Sequence, residues 1–242
     1  MKILLLAGHG QGDSGAVGNG YKEADLTREF VKLLNPKLSC YADVTVFDTN
    51  KNPFTYFKAN KYNFKEYDYV FEIHFNAAVN DRVGDGKTTG TEILVHPNEK
   101  GISVEEKILK RIEALGFRNR GVKTRTNLQN MNICKGNQNV SYALLEVCFI
   151  DDKDDMTLYA KKKNAIADAV AEGIADGFSL KGTEEGGFKD IKGHYAESAI
   201  KEILQMGIIK GDGNGNFRPD ENAKRGDVAI MIRNAIRYIT GR

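Results

Sequence analysis

Lys2-Ile3-Leu4-Leu5-Leu6-Ala7-Gly8-His9-Gly10 opens the chain, and the reading of this stretch decides the fold. A secretory leader needs a basic start, an apolar region of roughly 7–15 residues and a small-residue cleavage site. Here the apolar run is shorter, shows no cleavage pattern, and passes straight into a histidine flanked by glycines. That is the pattern of a buried first strand carrying a polar side chain to its carboxyl end. The expectation is therefore synthesis in the cytoplasm without a signal peptide.

Working outward, apolar runs alternate with amphipathic stretches. Strands are expected at Lys2–Leu6, Asp43–Phe47, Tyr67–Phe75, Thr91–Val95 and Tyr142–Ile150. Between them, Leu26, Phe30 and Leu33 share one face of a helix over Lys22–Leu34, and Val104, Ile108, Ile112 and Leu115 share one face over Ser103–Leu115. A third helical pattern runs from near Asp151 to Asp176, with Leu158, Ile166, Val170 and Ile174 in phase. Strands alternating with helices predict an α/β layer fold around a largely parallel sheet. Ligands of such sheets sit at the carboxyl ends of the strands.

This first domain is expected over residues 1–178. Residues 179–187 include Lys181-Gly182-Thr183-Glu184-Glu185-Gly186-Gly187, which lacks any apolar anchor and reads as a linker. Residues 188–242 then form a small all-α helix-loop-helix module, with helices at about Tyr195–Met206 and Arg225–Ile239 around the turn-rich Gly211–Asn216. A unit this small buries little surface alone, so docking, self-association or ligand binding must steady it.

Bulk properties narrow the function classes. The 242 residues are 41% hydrophobic and 28% charged, a soluble globular composition. A net charge of +2, with Lys and Arg scattered rather than striped among aromatics, gives no footing for a nucleic-acid partner. No apolar stretch is long enough to span a bilayer, so no membrane partner is expected. Cys40, Cys134 and Cys148 are odd in number and far apart, which suits reduced thiols.

Four residues fall where a metal hydrolase needs them. His9 ends the first strand, Glu23 lies in the first turn of the first helix, His74 is near the end of Tyr67–Phe75, and Glu146 interrupts the apolar run Ala143–Phe149. A catalytic zinc takes three protein ligands of this kind and leaves a place for water, whose pKa falls to about 7. A non-ligating carboxylate then serves as general base. Each residue also has a plainer role: a turn histidine, a core histidine, or a carboxylate complementing the helix dipole. Glu146 is the hardest to explain that way, because a carboxylate among apolar neighbours is costly unless paired or functional. The pattern alone leaves both readings open.

Five segments taken in order tip the balance. They are Gly8-His9-Gly10-Gln11-Gly12-Asp13-Ser14-Gly15-Ala16; Glu23; Ile73-His74-Phe75-Asn76-Ala77; Gly90-Thr91-Glu92-Ile93; and Ala143-Leu144-Leu145-Glu146-Val147-Cys148-Phe149-Ile150. Together they resemble the zinc-dependent N-acetylmuramoyl-L-alanine amidase family, across nearly all of the first domain. The resemblance implies a mixed, mostly parallel sheet flanked by helices, Zn2+ as cofactor, His9, Glu23 and His74 as metal ligands, and Glu146 as the catalytic carboxylate. Two positions depart from the family pattern. Leu6-Ala7 stands where Asp-Pro is common, and Glu72 replaces a small polar residue two before the second histidine. Residues i and i+2 share a strand face, so Glu72 is either a hydrogen-bonding partner of His74 or a rival ligand.

Other signals are weaker. Gly10-Gln11-Gly12-Asp13-Ser14-Gly15 satisfies GxGxxG, but the helix starts too late to hold a pyrophosphate. Gly12-Asp13-Ser14-Gly15 mimics a serine-protease loop without the rest of that machinery. Asp151, Asp152, Asp154 and Asp155 read as acidic residues opening a helix rather than a calcium site. His96 reads as a solvated strand end, and Cys148 as core packing.

In the C-terminal segment, Phe188-Lys189-Asp190-Ile191-Lys192-Gly193-His194-Tyr195-Ala196, then Ile200, Leu204, Gly207-Ile208-Ile209-Lys210-Gly211 and Asn216-Phe217-Arg218-Pro219-Asp220, is similar to one surface-layer-homology motif. Such motifs bind acidic secondary polymers of the cell wall, with a basic residue at the start of the second helix. Arg225, with Lys224 beside it, occupies that place. Tyr195 stands where tryptophan is usual, and one copy is present where three usually pack together. Self-association through the module, or a weaker single-site grip, is expected. The loop Asp212–Asn216 fails as an EF-hand, with Phe217 and Ala223 at required positions, and is a turn.

The expectation is thus a peptidoglycan hydrolase, acting on the bacterial wall after release, as a phage endolysin or else a sporulation or autolytic enzyme. A zinc carboxypeptidase of wall peptides and a non-enzymatic wall-binding protein are the alternatives.

Overall fold

The computed structural model describes residues 1–78, 81, 83–86, 89–181, 188–206, 208–209, 211–212 and 216–240. In chain order the elements are β1 (Lys2–Ala7), β2 (Val17–Gly18), β3 (Tyr21–Lys22), α1 (Glu23–Leu38), β4 (Asp43–Val46), α2 (Pro53–Ala59), β5 (Tyr69–Asn76), β6 (Thr91–Val95), α3 (Ser103–Glu113), β7 (Asn119–Thr124), α4 (Gln129–Met131), β8 (Ser141–Phe149), α5 (Lys153–Gly177), α6 (Glu197–Gln205) and α7 (Arg225–Thr240). The main sheet has the order β4-β1-β5-β8-β6-β7. Every neighbouring pair is parallel except β6 with β8. This is the expected α/β fold with a mixed, mostly parallel sheet.

The central strands are continuous apolar runs because both their faces are covered. On one face Ile3, Leu5, Phe71, Ile73 and Leu145 meet α1, α3 and α5 through Phe30, Ile108 and Ile174. On the other, Leu4, Leu6, Val70, Tyr142 and Leu144 form a smaller core with Phe57, Phe64 and Met131. Each such side chain, fully buried, is worth about 1.5–3 kcal/mol. From β1 the chain crosses to β4 on one side, then returns to β5 on the other. The crevice between β1 and β5 is therefore a topological switch point, where α/β sheets bind ligands.

Three local features differ from the sequence expectation. Helix α1 continues past Pro36 to Leu38, whose complete burial anchors the last turn. Helix α2 is opened by Asn52, whose side chain accepts the Phe54 N–H, with Pro53 in the first turn. Strand β7 carries no apolar run: it is a half-exposed edge strand with a bulge against β6.

Past residue 181 the expected linker falls on residues 182–187, which lie outside the described residues, as do Gly207, Lys210 and 213–215 of the motif. The C-terminal helices close over their own small core of Phe188, Ile191, Ile200, Leu204 and Ile209. Phe188 stacks on Phe217 with ring centroids 5.3 Å apart. The Asp190 carboxylate accepts the backbone N–H groups of Phe217 and Arg218, fixing the turn that precedes α7. Helix α6 touches α1, and the Lys32 ammonium lies 5.1 Å from the Tyr238 ring centroid. No helix among the described residues is long and apolar enough to cross a membrane.

Candidate active site

The site is assembled at the carboxyl ends of β1 and β5. β1 delivers His9 through Gly8, where a Cβ would lie 2.4 Å from the His74 ring. His9 itself has φ 59, a left-handed conformation that an L-residue adopts at a cost of roughly 1–2 kcal/mol. That turn aims the imidazole back across the strand ends. Its Nδ1 is 2.8 Å from Asp13 Oδ2, and Asn52 Nδ2 donates to the same oxygen. The loop then passes Gly15, at φ +63, where a Cβ would strike both Glu23 and His9.

Glu23 opens α1, where the helix dipole favours a carboxylate. It accepts the backbone N–H groups of Ala16 and Phe75 at 3.0 Å each. Its Oε2 lies 3.1 Å from His9 Nε2 and its Oε1 2.9 Å from His74 Nδ1. Burial opposes its ionisation, but the hydrogen bonds and charge of His74 and His9 prevail, holding the carboxyl far below the ordinary range. The two imidazole rings stand edge to face, 4.8 Å apart.

The other nitrogen of His74, Nε2, is 3.0 Å from Glu72 Oε1. Glu72 is buried, and its two oxygens accept from Asn130 Nδ2 and from the Tyr142 hydroxyl. Its lone pairs are thus used on the side of the ring away from Glu23.

Each imidazole therefore faces a carboxylate at both nitrogens. A neutral imidazole has one N–H donor and one acceptor, so one contact on each ring sets two acceptors together unless a positive charge intervenes. Burial disfavours the imidazolium of His74, but the carboxylates of Glu23 and Glu72 raise its pKa well above the ordinary value. A divalent cation satisfies the same demand. One donor atom from each of His9, Glu23 and His74 lies within 4.8 Å of the others. Two imidazoles and a carboxylate form a set that zinc takes, and the residues fit the ion.

Glu146 is the register partner of His74 on β8. Its Oε2 is buried without a hydrogen-bond partner. Burial pushes its carboxyl up to about 7, with His74 acting in the opposite direction. A carboxylate poised near neutrality beside a cluster that could hold a cation is equipped to take and return a proton. A cavity of about 310 Å³ opens over the site, with Asn52, Phe54 and Asn130 on its walls beside His9, Glu72 and His74.

Sequence reasoning missed the far flank. Glu92 on β6 stands opposite Glu146 in the antiparallel pairing, is buried, and binds Arg120 Nε at 2.7 Å and Lys123 Nζ at 2.5 Å. A carboxylate inside Thr91–Val95 is as anomalous as Glu146 in its own run, and that signal was available. Arg120 and Lys123 sit in the polar edge strand and gave none.

The remaining expectations sort simply. His96 lies at the opposite end of β6 from Glu92, away from the cluster, and its Nδ1 accepts the Asn98 N–H. Cys148 is fully buried and its thiol is pushed well above the usual range by burial. Asp152 caps α5 by accepting the Asp155 N–H, and Asp155 accepts those of Phe149 and Gly90. Lys224 and Arg225 are exposed at the start of α7, in the C-terminal module.

Residues 3–176 match the family model described as N-acetylmuramoyl-L-alanine amidase, and residues 187–229 match that of the S-layer homology domain. The endolysin of Bacillus phage SPP1 is 31% identical over 188 residues, covering 74% of this chain and 66% of that protein. The N-acetylmuramoyl-L-alanine amidase CwlM of Bacillus licheniformis is 30% identical over 190 residues, covering 74% and 68%. Among solved structures, an endolysin catalytic domain described as targeting Clostridia Difficile aligns with a TM-score of 0.57 at 25% identity, covering 73% of this chain and 97% of that one. Two further curated relatives are longer, and the chain spans 41% and 34% of their lengths.

Proposed function

We propose, from the premise that this chain belongs to the N-acetylmuramoyl-L-alanine amidase family, that it is a peptidoglycan hydrolase of the endolysin kind. It cuts the amide bond between N-acetylmuramic acid and L-alanine. The observation that carries this reading is the convergence of His9, Glu23 and His74, distant in sequence, to within 4.8 Å beside the half-buried Glu146, whose Oε2 is buried.

In this reading His9 through Nε2, His74 through Nδ1 and the Glu23 carboxylate would hold Zn2+, which would supply Lewis acidity and lower the pKa of water to about 7. The chain's own residues do the rest. Asp13 and Glu72 accept the outward N–H of each imidazole, fixing the tautomers that leave the inward nitrogens free to ligate. Glu72 is a partner of His74 rather than a ligand, since Asn130 and Tyr142 already occupy it. Glu146 takes the proton of the attacking water at Oε2 and returns it to the L-alanine nitrogen as the C–N bond breaks.

The division into a catalytic domain over 1–178, a linker over 179–187 and a wall-binding module over 188–242 completes the proposal. Arg225 and Lys224 contact an acidic secondary wall polymer, concentrating the enzyme on an insoluble substrate. Val228, Ile232 and Ile239 are 38%, 56% and 81% exposed along α7, an apolar face suited to a second copy of the module. A gel-filtration mass equal to one chain would remove the self-association.

Metal analysis of the purified protein, paired with mass spectrometry of digested Gram-positive walls, tests the reading. The expected result is one zinc per chain and release of intact stem peptides from glycan. Loss of a single terminal residue would instead indicate a carboxypeptidase, and no zinc with no digestion a binding protein.

A further inference from the structure

The flank beyond Glu146 has a charge arrangement that the hydrolytic chemistry does not use. Two cations, Arg120 and Lys123, converge on the single carboxylate of Glu92, leaving one positive charge over. Residues three apart on a strand normally point to opposite faces. Here a bulge at Gly121, with φ +80, breaks the β6–β7 register so that both reach the same oxygen of Glu92. Bulges of this kind re-aim side chains next to active sites. Both cations remain open to solvent, at 26% and 33% exposure, while Glu92 is buried. The Arg120 guanidinium also lies 4.8 Å from the ring centroid of Phe149, which follows Glu146 on β8. Glu92 thus stands one strand spacing, roughly 4.8 Å, from the Glu146 position, and the cations lie a further 2.7 and 2.5 Å out at its carboxylate.

The other side of the cluster has the opposite character. Apart from His9 and His74 of the cluster itself, the cavity there is lined by Asp13, Glu72 and uncharged side chains, with no lysine or arginine among the described residues. Beyond the cluster it offers an anionic segment no cationic side chain to pair with, while its amides and Phe54 suit a neutral glycan. Extended peptide advances about 3.3–3.6 Å per residue, so a carboxylate on the second stem residue falls about 7 Å from the scissile nitrogen. The strand spacing and the ion-pair distance together put the cationic flank at about the same offset, roughly 7 Å, from Glu146.

We infer that Arg120, assisted by Lys123, forms an anion seat for a carboxylate of the stem peptide, so that the substrate lies across the sheet with glycan over α2 and α4 and acidic peptide towards β7. This rests on the amidase reading above, and makes Arg120 a specificity-determining residue.

The test uses the full-length zinc-loaded protein and two soluble glycan-peptide substrates, identical except that the second stem residue carries a free carboxylate or its carboxamide. The wild type is expected to favour the carboxylate in kcat/KM by at least about tenfold, and Arg120→Gln to bring that ratio near one. A wild type without preference, or a variant that keeps it, overturns the seat while leaving the amidase reading intact. Cleavage of neither substrate by the wild type overturns both. Zinc content and thermal midpoint verify the variant. If Arg120→Gln does not fold, Lys123→Gln on the more exposed flank must lower the same ratio, and an unchanged ratio there overturns the seat.

Discussion

His74 and Glu146 are register partners on adjacent parallel strands, so the inner metal-ligand candidate and the carboxylate with the unbonded Oε2 stand side by side by backbone hydrogen bonding alone. No loop has to close to bring them together. Replacing Glu146 should therefore remove chemistry without dismantling the cluster. Glu146→Ala is expected to retain zinc and lower wall lysis by about 10²–10⁴-fold, the range for loss of a general acid-base. Zinc titration with turbidity assays checks this, and persistent lysis would place the base elsewhere.

The same carboxyl gives a pH signature in the metal-free protein. Its folded pKa is about 7 against an ordinary value of 4.5, raised by burial. Between those values the folded state keeps a proton that the unfolded state has lost. By linkage, stability is full below pH 4.5 and declines as pH rises towards 7. The loss amounts to about 3 kcal/mol at most, from about 1.36 kcal/mol per pKa unit. Glu146→Gln lacks this titration. The gap between the denaturant midpoints of the two metal-free proteins should be smallest at pH 4.5 and widen up to pH 8, shifting in favour of the variant as pH rises. Parallel curves would mean that the carboxyl is not desolvated.

Glu72 and Asp13 are predicted to act on zinc affinity through the imidazoles they orient. Loss of such a partner typically costs 10–100-fold in metal affinity. Glu72→Gln and Asp13→Asn should each weaken zinc binding by about that factor while leaving a one-to-one stoichiometry. Competition with a chelator measures it. Complete loss of zinc in Glu72→Gln would make Glu72 a ligand after all.

How much of this was legible in the sequence follows from burial. β1, β5, β6 and β8 are apolar runs because both faces are covered, and they were read nearly to the residue. His9, Glu23, His74 and Glu146 stood out as polar residues at an element boundary or inside such a run, but that pattern left their role open and only the family resemblance chose one. β7 was not, because an edge strand half in water needs no hydrophobic pattern and Asn119–Thr124 has none. Its omission hid Arg120 and Lys123, and with them the reason Glu92 can be buried. Glu72 was singled out as ambiguous for a similar reason: its partners Asn130 and Tyr142 are remote in sequence, so only the fold reveals that its oxygens are occupied.

The two-domain division makes a last prediction, and the packing says where to cut. Phe178 lies edge-on to Tyr69 at 5.1 Å, and the Leu180 N–H is bonded to Ala175 O, so the first domain needs the chain through residue 180. Beyond that point the module has its own core, separate from the two that sandwich the sheet. Among the described residues helix α6 touches α1, and the Lys32–Tyr238 pair is worth about 0.5–1 kcal/mol at an exposed site. A chain ending at Leu180 should fold with a thermal midpoint within a few degrees of the full protein, cleave soluble fragments, and bind zinc. Its sedimentation with intact walls should fall by about tenfold or more, because a tethered second contact multiplies avidity. Arg225→Ala in the full chain should reproduce part of that loss. If the shortened chain unfolds, the module is part of the catalytic domain's core; if it sediments as well as the parent, the wall grip lies in the first 180 residues.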